Sequence, residues 1–330
     1  MYKKIIISIL IFILAGELLI RFDEAFEFMT ANSVVKIKTD LKITPEYEMV
    51  KNNTLNTGGN NFRVMVLGDS YIHGGGIEFK DNFSQQLKSL LKKANSKYDD
   101  VYVLDVSKPS SNTFDNNQTY FQFADKFKPD IVILGYNYND VEGNLDKQKT
   151  QSGIDSFTNI KASSDEKQSF IKKVYDILYQ SKFIFYVMHN LHDEMKTHGL
   201  IMPNSSFDLI QKTHYENRES WVKSKALLQE VIDNCKKENS QLVILKFPEI
   251  NLLEYPGLFT RADNSIHDFF ALDPSTMYIN GADIFKGETS KENMLSKYDG
   301  HPNEKAHKKM AQYIFSLIKK IPGSEHTFKQ

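Results

Sequence analysis

Residues 64–76 read VMVLGDSYIHGGG. Four apolar residues, Val64 to Leu67, run straight into Gly68, Asp69 and Ser70, then into His73 and three glycines, Gly74 to Gly76. A short apolar run closed by glycine has the length of a buried strand and is too short for a core helix. A plain strand-to-helix turn does not need a serine in this setting; a serine held out for chemistry does.

Outward from this stretch the pattern alternates. Residues 63–67 form the first expected strand. Residues 81–94 carry Phe83, Leu87, Leu90 and Leu91 at helical spacing. A strand over 101–106 follows, then a helix over 113–127 rich in aromatics, then a strand over 130–136, DIVILGY. The unit returns late, with a helix over 221–237, the strand QLVILKF at 241–247 closed by Pro248, and a last helix over 303–318. Continuous apolar strands between amphipathic helices indicate a parallel sheet covered on both faces. The fold class is therefore α/β, a three-layer α/β/α sandwich of flavodoxin-like type. Residues 141–218 break the alternation and read as a helical insertion beside the sheet edge. Residues 250–297 are loop-rich and receive no assignment. The main domain is expected over 62–330, behind a polar stalk or linker at 23–61 that ends in Asn- and Gly-rich sequence.

The N-terminus is apolar. Lys3 and Lys4 precede IIISILIFILAGELLI at 5–20. Sixteen helical residues span roughly 24 Å, slightly short of a ~30 Å hydrocarbon core. Tyr2 and Phe22 can extend the span at the interfaces. Residues 1–22 read as an uncleaved transmembrane anchor. The alternative is a cleaved signal, but Ile13 and Leu14 stand where a cleavage site wants small residues. Either reading puts the bulk of the chain outside the cytoplasm. Lys plus Arg number 41 and Asp plus Glu 42 in 330 residues, so no basic excess points to nucleic acid. The single cysteine, Cys235, excludes an internal disulfide and receives no role.

In an open parallel sheet, ligands bind beyond the carboxyl ends of the strands. Three short motifs fall there: Gly68-Asp69-Ser70, Pro109-Ser110-Ser111-Asn112-Thr113 and Asn137-Tyr138-Asn139-Asp140. A fourth, Asp299-Gly300-His301-Pro302-Asn303, precedes the last helix. Together they bring a serine, a histidine, a carboxylate and an asparagine to one crevice, the parts needed for nucleophilic acyl transfer. Each has a plainer reading: Ser70 as a helix N-cap, His301 as part of a helix-start turn, Asn139 and Asp140 as an Asx turn.

The four blocks in this order resemble the SGNH/GDSL hydrolase family over roughly residues 62–136 and 220–320. The resemblance implies Ser70 as nucleophile, His301 as base and Asp299 as third member of a triad. It implies the backbone N–H groups of Ser70 and Ser110 and the side-chain amide of Asn139 as oxyanion donors. Tyr71 and Asn112 fall beside them as substrate-binding candidates. Tyr136 and Tyr138, if exposed at the site mouth, could stack on a sugar. Three departures stand out: Ser110 and Asn137 where glycine is usual, and Asp-x-His where Asp-x-x-His is commoner. His73 reads as pocket-lining or solvent-facing and His307 as structural. The two histidines of HPNEKAH lack the spacing of a helical zinc pair, so no metal or cofactor is expected. The expected activity is that of a membrane-anchored serine esterase, on an O-acetyl or O-acyl ester of cell-envelope carbohydrate. An O-acyltransferase, a lipase or thioesterase acting on a lipid ester, and a binding protein that keeps the fold remain open.

Overall fold

The computed structural model describes residues 15, 44–55, 58–141, 211–255, 257–296 and 299–320. The expected anchor, most of the stalk and most of the helical insertion lie outside these residues. The chain divides into two compact units, Met1–Lys36 with Gln148–Asp208, and Ile37–Lys147 with Leu209–Gln330. Apart from residue 15, all described residues belong to the second. Among the described residues no helix is long and apolar enough to cross a membrane.

The first element corrects the expected stalk boundary. Helix α1, Pro45–Lys51, is capped by Thr44, whose hydroxyl accepts from the Tyr47 amide at 3.0 Å. Pro45 stands in its first turn, where a missing N–H loses nothing. Val50 is buried, and the Glu46 carboxylate meets Lys88 at 2.5 Å. The packed unit therefore begins before Phe62.

Among the described residues, five parallel strands make the sheet: β1 Phe62–Leu67, β2 Val101–Asp105, β3 Ile131–Tyr136, β4 Gln241–Lys246 and β5 Thr276–Asn280. Their order is β2-β1-β3-β4-β5. The chain turns one way from β1 to β2 and the other way to β3, which opens a crevice above β1 and β3. After β1 comes the one-turn helix α2, Ser70–His73, then α3, Phe83–Ala94, and α4, Thr113–Phe127. Later come α5, Glu219–Lys237, and α6, Thr260–Ala271. The described residues close with the short α7, Ser290–Asn293, the antiparallel pair β6 Met294–Ser296 and β7 Asp299–Pro302, and α8, Glu304–Ile318.

Side chains alternate across a strand. Val64 and Val66 join one core with Phe83, Leu87, Met310 and Ile314, so α3 and α8 cover that face. Leu67 and Leu134 point the other way, toward Tyr120, Leu228 and Val231 of α4 and α5. α4 and α5 are tied together by Asn117 Nδ2 to the Leu227 carbonyl (2.9 Å) and by the Tyr120 hydroxyl to Asn234 (2.8 Å). The three-layer expectation thus describes this unit, with α6 and β5 as additions from the segment that sequence left unassigned.

Candidate active site

The serine is positioned by two glycines and one isoleucine. At Gly68, φ is +149° and a Cβ would sit 2.8 Å from Ile72 Cγ1. At Gly135, near the end of β3, a Cβ would sit 2.3 Å from the same atom. Ile72 is fully buried there and wedges α2 into the switch point. Asp69, not Ser70, caps α2: its Oδ1 accepts from the Tyr71 amide at 2.9 Å. Ser70 is left half-buried, its hydroxyl free of capping.

That hydroxyl meets His301, with 2.9 Å between Ser70 Oγ and His301 Nε2. On the other side of the ring, Nδ1 lies 2.6 Å from Asp299 Oδ1. The same Oδ1 accepts from the His301 amide at 3.0 Å. Asp299 and His301 both lie in β7. In a strand, residues two apart share a face, so the Asp-x-His spacing delivers the carboxylate to the ring. The network fixes the tautomer, with Nδ1–H donating to Asp299 and Nε2 accepting from the serine. The His301 and Asp299 side chains are 39% and 42% exposed, so the relay opens to solvent. The Tyr71 ring lies 5.3 Å from the His301 ring and packs edge-on against Phe247, backing the histidine.

The structure sorts the remaining sequence candidates. Ser110 has φ +62°, a left-handed conformation that favours glycine, so it takes up the backbone position where glycine is usual. Neither its N–H nor that of Ser70 donates to another described residue. Asn139 follows β3 in a 3₁₀ turn, exposed, and its side chain makes no hydrogen bond among the described residues. Asn112 is corrected: its side-chain oxygen accepts from the Asp115 amide at 3.0 Å in a capping box that starts α4. Asn137 is buried, its oxygen accepting from the Tyr138 amide at 2.8 Å. Tyr136 and Tyr138 are buried too, so neither presents an open face at the mouth. His73 does not face solvent. It is buried and donates from Nδ1 to the Ser107 carbonyl at 3.1 Å. His307 is buried and accepts from the Phe83 amide at 3.0 Å.

Sequence reasoning gave Asp69 no role of its own and passed over Glu249 and Lys246. Burial pushes the Asp69 carboxyl up to about 6, against the Tyr71 amide and the nearby His301. Burial and the Asp69 charge push Asp140 well above the ordinary carboxylate range. Glu249 follows β4; burial raises its proton affinity, while Lys246, the Tyr71 hydroxyl and His301 lower it. Lys246, the last residue of β4, is fully buried and binds both the Asp263 carboxylate and the Tyr138 hydroxyl. A signal for it was present, since a lysine inside the apolar run QLVILKF cannot be buried without a partner. An open groove of about 600 Å³ lies at the opposite ends of the strands, beside Phe62, Asp130, Gln241 and Thr276, away from Ser70.

No family model matches the chain, and no curated protein matches it. Solved structures do resemble it. An acetylxylan esterase, Axe2 from Geobacillus stearothermophilus, is 11% identical with a TM-score of 0.45, over 78% of this chain and 94% of that one. The psychrotrophic esterase EstA from a Pseudoalteromonas species is 11% identical with a TM-score of 0.43, over 78% and 97%. A lipase/acylhydrolase from Enterococcus faecalis is 10% identical with a TM-score of 0.44, over 78% and 96%.

Proposed function

We propose that this protein is a serine ester hydrolase of SGNH type. The observation that carries the reading is the unbroken relay Ser70 Oγ–His301 Nε2 (2.9 Å) and His301 Nδ1–Asp299 Oδ1 (2.6 Å). A serine hydroxyl is a weak nucleophile until a base within hydrogen-bond reach takes its proton. His301 receives that proton as Ser70 attacks the ester carbonyl, and Asp299 stabilises the imidazolium. His301 then gives the proton to the leaving alcohol, and a water attacks the acyl-serine by the same route in reverse. The Ser70 and Ser110 N–H groups and the Asn139 amide are the donors for the developing oxyanion. The fuller proposal is a domain tethered outside the cytoplasm by residues 5–20, removing O-acyl groups from cell-envelope carbohydrate. Its support is the apolar N-terminal run behind Lys3 and Lys4.

The test is the full chain on p-nitrophenyl acetate beside its Ser70→Ala variant. Hydrolysis that Ser70→Ala abolishes, with Ser70 labelled by a fluorophosphonate, supports the assignment. A parent chain that neither turns over the ester nor takes the label sinks it. An alkaline phosphatase reporter fused after Gln330 tests the location separately: it is active if the domain is exported and silent if it is not.

A further inference from the structure

We propose that the cavity at the carboxyl ends of β4 and β5 is a subsite for an uncharged, hydroxyl-rich ring of the substrate, a pyranose, and that it rejects a fatty acyl chain. The proposal rests on the ester-hydrolase reading of Ser70 and names the substrate class of that site. The cavity measures about 400 Å³, within the range of about 300–1,000 Å³ that small-molecule sites occupy. Its floor is set by strand register, since Lys246 pairs with Tyr136 on one side and Asn280 on the other. Glu249 and Leu252 line the cavity, and Asn251 between them packs against Gly300, which separates Asp299 from His301, so one short turn joins the cavity to the Ser70 relay.

The chemistry of the floor selects the occupant. Lys246 Nζ binds the Asp263 carboxylate and the Tyr138 hydroxyl, and that hydroxyl donates to Asp263. Lys246 is buried, so the part of this ring open to the cavity is the Asp263 carboxylate, 19% exposed and with about four acceptor positions. An alkyl chain laid across it strips its water and returns no hydrogen bond. A sugar ring replaces that water with hydroxyls that donate and accept. Charge argues against an acidic unit: two lysines, Lys246 and Lys286, face three carboxylates, Glu249, Asp263 and Asp283, across the cavity. Aromatic surface completes the match. Tyr255 is 39% exposed at the mouth, where a flat apolar ring can take the C–H face of a pyranose.

The experiment is calorimetric titration of the full chain carrying Ser70→Ala with cellobiose, sodium glucuronate and sodium octanoate in turn. Cellobiose is expected to bind and the two anions not. Replacing the ion pair by apolar residues of similar size, Lys246→Met with Asp263→Leu, is expected to weaken cellobiose at least tenfold. Far-UV circular dichroism checks that the paired variant folds. If it does not, Tyr255→Ala and Asp283→Ala, both at exposed positions, carry the test with the same expectation. Octanoate binding in place of cellobiose, no cellobiose binding, or cellobiose affinity unchanged in the folded variants overturns the proposal. Titration needs no turnover, so failure of the esterase reading, seen as hydrolysis that survives Ser70→Ala, is a separate result.

Discussion

Three single residues carry the most testable physics of this site. Asp299 touches His301 twice, through Nδ1 at 2.6 Å and the backbone amide at 3.0 Å. Asp299→Asn keeps the shape but no longer favours the tautomer that leaves Nε2 free to accept. We expect kcat on p-nitrophenyl acetate to fall about 10²- to 10⁴-fold with KM little changed. Ser110 stands at φ +62°, where a side chain costs about 1–2 kcal/mol. Ser110→Gly is expected to keep activity and leave stability unchanged or higher by up to about 1 kcal/mol, since glycine also gains freedom when unfolded. Ser110→Val should lose both, and parallel urea melts and rate assays separate the cases. Asp69 reports through pH. Its folded-state value is raised to about 6 from 3.8, so the native state holds a proton that the unfolded chain has released. Stability from this group is present below about pH 4 and is lost as pH rises toward 6. Asp69→Asn retains the cap oxygen and removes that loss. The difference in melting temperature, variant minus parent, should climb between pH 4 and 6 and then level off. A flat difference would show that Asp69 titrates normally.

At the scale of elements, α2 is held by shape more than by its own hydrogen bonds. A one-turn helix has almost no intrinsic stability, and here Ile72 is clamped between Gly68 and Gly135. Gly135→Ala places a methyl about where Ile72 Cγ1 now lies. Overpacking of this kind typically costs about 1–3 kcal/mol, and Ser70 shifts with the helix. The expectation is a lower melting temperature together with a lower kcat, and partial recovery of both when Ile72→Val makes room. A double-mutant cycle measures the coupling; additive effects would mean the two glycines do not set the position of Ser70. The same scale shows what could be read beforehand. β1, β3 and β4 were legible because they are buried on both faces and therefore unbroken apolar runs. β5, with the sequence TMYIN and only partly buried at the sheet edge, carries no such run. The β6–β7 pair is three and four residues long, below what periodicity can register. Yet that pair explains the Asp-x-His spacing, since two residues apart on a strand means one face. The triad residues were legible by type, and their geometry was not.

For the molecule as a whole, the question is where the folded unit starts. Composition placed the boundary near Phe62 because 52–61 is rich in Asn and Gly, and such sequence reads as linker. The described residues 52–55 and 58–61 instead lie between two packed elements, α1 and β1, and α1 is too short to announce itself by periodicity. What anchors it is tertiary: buried Val50, the Tyr47 ring 5.6 Å from Phe123, and the Glu46–Lys88 pair. Burying one valine is worth roughly 2 kcal/mol. The ion pair adds a penalty on removal, because Lys88 is only 19% exposed and would lose its partner. A chain begun at residue 44 should therefore melt above one begun at residue 62, by about 4–8 °C for a loss near 2 kcal/mol in a domain of this size. The single variant Val50→Ala should lower the melting temperature of the longer chain and so close part of that gap, and added salt should leave most of the gap, since the pair is largely shielded. Equal melting temperatures for the two chains would return residues 44–51 to the linker and set the start of the domain at β1.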